Sequence, residues 1–232
     1  MEALMSFLKV FYSPMEVFHS IERGMKPWAG LLVYLLLAFL IISMMAPLMQ
    51  EMARSSMLES GQVALEDVDA MMSSPVMVFS LKVAPTLGFL FNLLVMAFFL
   101  WLAFLVFFGA VPFGRIFTLA LYAGFVDLLL GLLNNVYLAT TSPEISSHLD
   151  LAAVSLNLSL GAFFDPLSFP GAFLSRFGLF QVWKIWLLVA GSSVVLDRER
   201  SKTLWPVLMI AILGALFAAF TSTLAGKFGA MG

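Results

Sequence analysis

The sequence predicts an all-α integral membrane protein with five transmembrane helices, preceded by a short interfacial amphipathic helical segment. Three observations carry that prediction. The 232-residue chain is 62% hydrophobic and only 11% charged, with a mean hydropathy of +1.02, whereas soluble domains run near half apolar and a quarter charged. Five apolar runs each reach about 20 residues, the length that crosses a hydrocarbon core. They are too long and continuous for barrel strands, and helices are the other structure that satisfies a backbone in lipid.

Taken in order, residues 1–26 form the pre-membrane segment. Leu4, Phe7, Leu8 and Phe11 recur at i, i+3, i+4 and i+7, with Glu2, Ser6 and Lys9 elsewhere on the wheel. This predicts a short helix in the cytoplasmic interface. Ser13 as N-cap, Pro14 in the first turn and Glu16 at the capping-box position start a second helix, with Val17, Phe18 and Ile21 on its buried face. Charges at Glu22, Arg23 and Lys26 precede the first apolar run and no small-residue cleavage site follows it, so no cleavable signal is expected. The spans are predicted at about 27–49, 86–109, 116–138, 177–196 and 204–226, with external loops 50–85 and 139–176 and a short external tail 227–232.

Basic residues set the orientation. Lys9, Arg23, Lys26, Arg115, Arg198, Arg200 and Lys202 fall on one side, within short segments. Arg54, Lys82, Arg176 and Lys227 are spread over the long loops opposite. The N-terminus is therefore expected in the cytoplasm and the C-terminus outside. The turns "GAVPFGR" and "DRERSK" are short, which predicts antiparallel hairpins of spans two–three and four–five. The second external loop contains Leu151–Phe164, mostly apolar and too short to span, which suits an interfacial or re-entrant segment.

Three segments together resemble the Yip family of small polytopic membrane proteins. They are "FYSPMEVFHSIERGMKPWAGLLVYLLL" before the first span, "FGRIFTLALYAGF" in the central hairpin, and "FGLFQVWKIWLLVAGSSVVLDRERSKTL" over the fourth span and its charged turn. The resemblance implies a membrane fold and, from the best-known members, anchors or adaptors for trafficking GTPases that work through a cytoplasmic N-terminal region. Here that region is about 26 residues and lacks the Asp-Leu-Tyr-Gly-Pro signature. The chain is similar to the short prokaryotic type, so GTPase binding is not carried over, and a prokaryotic cell (inner) membrane is the expected location.

The chemistry of the chain points away from an enzyme. It has no nucleotide-binding glycine loop, HExxH pair or Gly-x-Ser-x-Gly elbow. Without cysteine there are no disulfides, thiolate metal sites or thiol catalysis. The two histidines, His19 and His148, are expected on opposite sides of the membrane, which excludes a joint metal site. Methionines cluster around Met44–Met57 and Met71–Met77, and gap-filling packing is the preferred explanation over copper(I) binding. No cofactor is expected. A net charge of −2 and the lack of a basic tail exclude nucleic acid as a partner. The expected partners are the lipid bilayer and other membrane proteins or a second copy of the chain.

The polar residues within the spans remain. Ala120, Gly124, Asp127, Gly131 and Asn134 fall on one stripe of the third span. Small residues such as Gly124 and Gly131 allow close helix contact, and polar residues on the same face bond across it. Asp127 lies about 18 Å along its helix from Arg115, and Lys184 about 21 Å from Arg198, at ~1.5 Å rise per residue. The only acid and base deep within the spans thus fall at similar depth, where a lone charge costs roughly 2.5–3.5 kcal/mol on insertion scales. Asn134, Asn135 and Gln181 could extend a polar path outward, with Asn92 nearer the outer face. Three functions follow: a scaffold or adaptor in which Asp127–Lys184 clamps spans three and four, a small transporter or channel subunit that uses the cluster as a pathway, and a lipid-handling protein. The clamp within a scaffold is the favoured expectation, because no inverted repeat is visible.

Overall fold

The computed structural model describes residues 2–59, 71, 74–141, 158–165 and 168–229. Every regular element among them is helical. Helices α1 (Glu2–Tyr12) and α2 (Pro14–Glu22) precede the long α3 (Trp28–Glu59). A helical turn at Pro75–Val78 and a π-turn at Phe79–Val83 lead into α4 (Ala84–Phe108), and a tight turn connects it to α5 (Phe113–Thr141). A 3-10 turn (Leu160–Phe163) and α6 (Phe169–Leu174) come before α7 (Leu179–Val195) and α8 (Arg200–Gly229).

Among the described residues four segments are long and apolar enough to cross a membrane: Trp28–Ser55, Pro75–Phe108, Phe113–Thr141 and Arg200–Leu224. They overlap the first, second, third and fifth predicted spans. The helices outrun the apolar stretches because polar residues continue a helix until a breaker intervenes. Thus α3 passes Met49 and Pro47 and runs on to Glu59. The π-turn lies just ahead of Pro85, whose missing N–H disturbs the ladder there. The fourth predicted span is α7, with 17 residues. At ~1.5 Å per residue this is about 25 Å, a few ångströms short of a ~30 Å hydrocarbon core. Its start is set by Gly178, an extended N-cap. His148, Asp150, Met72 and the first half (151–157) of the predicted segment Leu151–Phe164 lie outside the described residues.

The chain divides into two compact units. One comprises Met1–Val33, Leu93–Asp127 and Asn157–Gly232. In it α2 packs on α7, α7 on α8, and α6 on α8. Its hairpin turns are pinned by side chains. Trp101 Nε1 donates to the Val111 carbonyl at 2.8 Å, closing the α4–α5 turn, where Gly109 adopts φ +80. Thr203 Oγ1 donates to the Val189 carbonyl at 3.1 Å, tying α8 to α7. At Gly191 of α7 the ring of Phe18 comes within 3.0 Å of where a Cβ would stand, with Leu119 of α5 nearer still. A side chain at this position would need Leu119 and the Phe18 ring to shift. The second unit comprises Tyr34–Asn92 and Leu128–Leu156. Asn135 Nδ2 donates to the Ile41 carbonyl of α3 at 2.8 Å, and Gly131 lies against the Ile41 side chain.

The amphipathic N-terminal helices form as the periodicity predicts, and part of their apolar face packs on protein while Leu8 stays exposed. Val17, Phe18 and Ile21 are fully buried. Phe7 packs on Phe125 of α5 with centroids 4.6 Å apart, and Phe11 on Trp183 of α7 at 5.6 Å. The predicted capping box also takes another form. Ser13 Oγ makes no bond to the helix backbone; it donates to Glu16 Oε1 at 2.8 Å. The other Glu16 oxygen accepts from Lys9 Nζ at 2.6 Å, joining α1 to α2.

The hydrogen bond from Lys9 holds the Glu16 carboxyl below the ordinary glutamate value, and the same bond raises the Lys9 ammonium above its own. A depressed carboxylate stabilises the fold above its unfolded value and loses that contribution as pH falls through the folded one. A raised lysine contributes below its unfolded value and loses this at high pH. The link is therefore complete from the ordinary carboxylate range up to the ordinary lysine range. A spin label at Leu8→Cys, in a chain with no native cysteine, should become more mobile in the parent as pH drops below the ordinary glutamate value. In a Glu16→Gln background it should be mobile at neutral pH and indifferent to acid.

Candidate intramembrane site

The candidate site begins with the burial of α5. Two-thirds (67%) of its apolar window is buried within the protein, against 17–28% for the other three long helices. Residues Ile116–Val126 are buried in an unbroken run, Ala120 and Gly124 among them. Asp127 follows directly, about 21 Å from either end of α5. Its helix leaves it little route to water, so its partners must come from neighbouring helices.

Those partners are on α7. Lys184 Nζ donates to Asp127 Oδ2 at 2.6 Å, and Gln181 Nε2 donates to Oδ1 at 3.3 Å. Lys184 and Gln181 are three residues apart and so share a face of α7. Both carboxylate oxygens are thereby engaged. The ammonium-to-carboxylate bond is short, as charge-assisted bonds are. The side chain of Lys184 keeps 12% of its exposure and that of Asp127 keeps 28%. Lys184 lies only about 7.5 Å from the first residue of α7. The pair therefore joins the middle of a long helix to the outer third of a short one, a mismatch that matching depths alone did not suggest.

The other predicted polar residues are disposed differently. Asn135 is committed to the backbone of α3 through Ile41. Asn134 is half-buried on α5, and Asn92 is an exposed side chain of α4. Gly131 touches Ile41, as expected of a small residue at a helix contact.

Sequence reasoning missed the aromatic contacts of α1 with α5 and α7. Phe125 precedes Asp127 by two residues, Trp183 directly precedes Lys184, and both are packed by rings of α1. The only signal was the i, i+3, i+4, i+7 pattern of α1, which marks an apolar face without naming what it meets. Among the described residues no three His, Cys, Asp or Glu side chains converge as metal ligands.

An all-helical chain with four span-length apolar helices and a shorter fifth is a polytopic membrane protein. The Yip1 domain family model matches residues 8–223, nearly the whole chain, and the protein belongs to that family. No curated protein and no solved structure matches it.

Removing one member of a buried pair leaves an uncompensated charge, at about 3–5 kcal/mol when burial is complete. The residual exposure of Asp127 lowers this. Lys184→Met should therefore destabilise the detergent-solubilised protein by about 2–3 kcal/mol, while Gln181→Leu, which removes a neutral donor, should cost about 1–2 kcal/mol. Thermal unfolding of both variants reads the difference; equal midpoints would mean that the charge contributes nothing special.

Proposed function

We propose that the protein is a non-enzymatic membrane scaffold or adaptor, with the Asp127–Lys184–Gln181 cluster acting as a clamp between α5 and α7. The observation that carries this reading is that each oxygen of the carboxylate accepts a bond from α7, which ties the group to helix association. Membership of the Yip1 family supports a role in membrane organisation or trafficking. The positive-inside bias supports a cytoplasmic N-terminus and an external C-terminus, and the resemblance to the short prokaryotic type supports a prokaryotic inner membrane. Contacts with other membrane proteins or a second copy of the chain would be made by the exposed apolar faces.

A second reading is a small transporter or channel subunit, favoured by the 28% side-chain exposure that Asp127 retains. Reconstitution separates the two. Vesicles holding the purified protein and a pH-sensitive dye should leak protons, Na⁺ and K⁺ no faster than empty vesicles. A flux well above that background, abolished by Asp127→Asn without loss of folded protein, would replace the scaffold with the pathway.

A further inference from the structure

A cleft of about 270 Å³ opens between α1 and α2, with Ser6, Lys9, Glu16, His19, Ser20 and Arg23 lining it beside Val17. Its hydrogen bonding is lopsided. Each oxygen of Glu16, the only carboxylate of the lining, already accepts a bond, from Lys9 and from Ser13. The Ser20 hydroxyl donates to the Glu16 carbonyl at 2.9 Å. Arg23 uses only Nε, on the His19 carbonyl at 3.1 Å, and His19 Nδ1 meets Glu22 at 3.2 Å. These bonds leave two N–H of Lys9 and the Nη groups of Arg23 without a partner in the lining. The cleft thus offers positive charge and surplus donors, which suits an anion with several acceptor oxygens.

Its surroundings narrow the class. The side chain of Ser6 lies close to that of Tyr122. The Tyr122 hydroxyl lies against Gly30, in the first turn of α3. Two residues before Gly30, Trp28 is 70% exposed, in the manner of residues that mark a membrane–water interface. The cleft is therefore at headgroup level. Beside it, Met5, Leu8 and Tyr12 of α1 are exposed at i, i+3 and i+7, one apolar face adjoining a cationic one. A phosphate with acyl chains attached would use both.

We propose that this cleft binds a phosphate group, supplied by the headgroup of an anionic phospholipid, with Arg23 and Lys9 as its charged contacts. The proposal does not rest on the scaffold reading, and its test has no transport or partner readout.

The test uses the full chain in neutral detergent with three probes: dihexanoyl phosphatidylglycerol, dihexanoyl phosphatidylcholine and inorganic phosphate. Phosphatidylglycerol should bind saturably and raise the unfolding midpoint, with phosphatidylcholine at least about fivefold weaker. Arg23→Gln should weaken phosphatidylglycerol about fivefold, the effect of one basic group near an anionic surface. Arg23→Lys, a control that keeps the charge, should retain most of the binding. Inorganic phosphate binding as tightly as phosphatidylglycerol, with the same loss in Arg23→Gln, would keep the phosphate site and assign it to a soluble source. Equal affinity for the two lipids, or parental affinity in Arg23→Gln, would overturn the proposal.

Discussion

The contact between Asp127 and Lys184 is the constraint around which the rest of its unit is arranged. An unpaired carboxylate or ammonium within the hydrocarbon layer is costly, and only a partner at bonding distance offsets that cost. The bond spans 2.6 Å, so a slip of a single helical turn, about 5.4 Å, would separate both charges. Register between α5 and α7 is therefore set by electrostatics near the N-terminal end of α7. At its other end α7 is held by shape and by a neutral hydrogen bond. Phe18 occupies the space that the missing Cβ of Gly191 provides, and Thr203 ties α8 to Val189. A helix of 17 residues is thus fixed at both ends by different physics. Buried ion pairs seldom add net stability over an apolar substitute, but they do penalise misalignment. That property suits a clamp.

The N-terminal helices extend the same logic. An amphipathic segment ahead of a first span can lie on lipid or on protein, and here its aromatic face lies on protein. Phe7 and Phe11 bear on the residues beside the ion pair, and Phe18 reaches the α7 glycine. With that face occupied, recognition by the N-terminal region falls to its outer side, where Lys9, His19 and Arg23 are gathered. A tether waiting to fold on a partner would leave its aromatic face free; this one forms part of the bundle.

Much of the architecture was legible in the residues. Runs of apolar side chains locate spans because lipid allows so few backbone solutions, and the Asp127–Lys184 pairing followed from the scarcity of other charges at that depth. Helix ends were less legible. The apolar run of the first span closes near Met49, yet α3 continues to Glu59 because nothing there breaks it. The counter-surface of α1 was not legible at all. Periodicity defines which side chains share a face, while the identity of the opposing surface depends on long-range packing that a local pattern does not encode. Asn135 shows the same limit: it was expected to extend a polar path from the pair, whereas its amide donates to the Ile41 carbonyl of α3.

The central claim is that Asp127 and Lys184 stabilise the fold as a mutual pair. A double-mutant cycle on thermal unfolding in detergent tests it most directly, with Asp127→Lys, Lys184→Asp and the exchanged double variant. Each single exchange places like charges together and should lower stability markedly, whereas the double exchange should recover most of the loss. A coupling of at least about 1 kcal/mol is expected for residues in direct contact. Additive losses, with the double variant no better than the sum of the singles, would contradict the clamp.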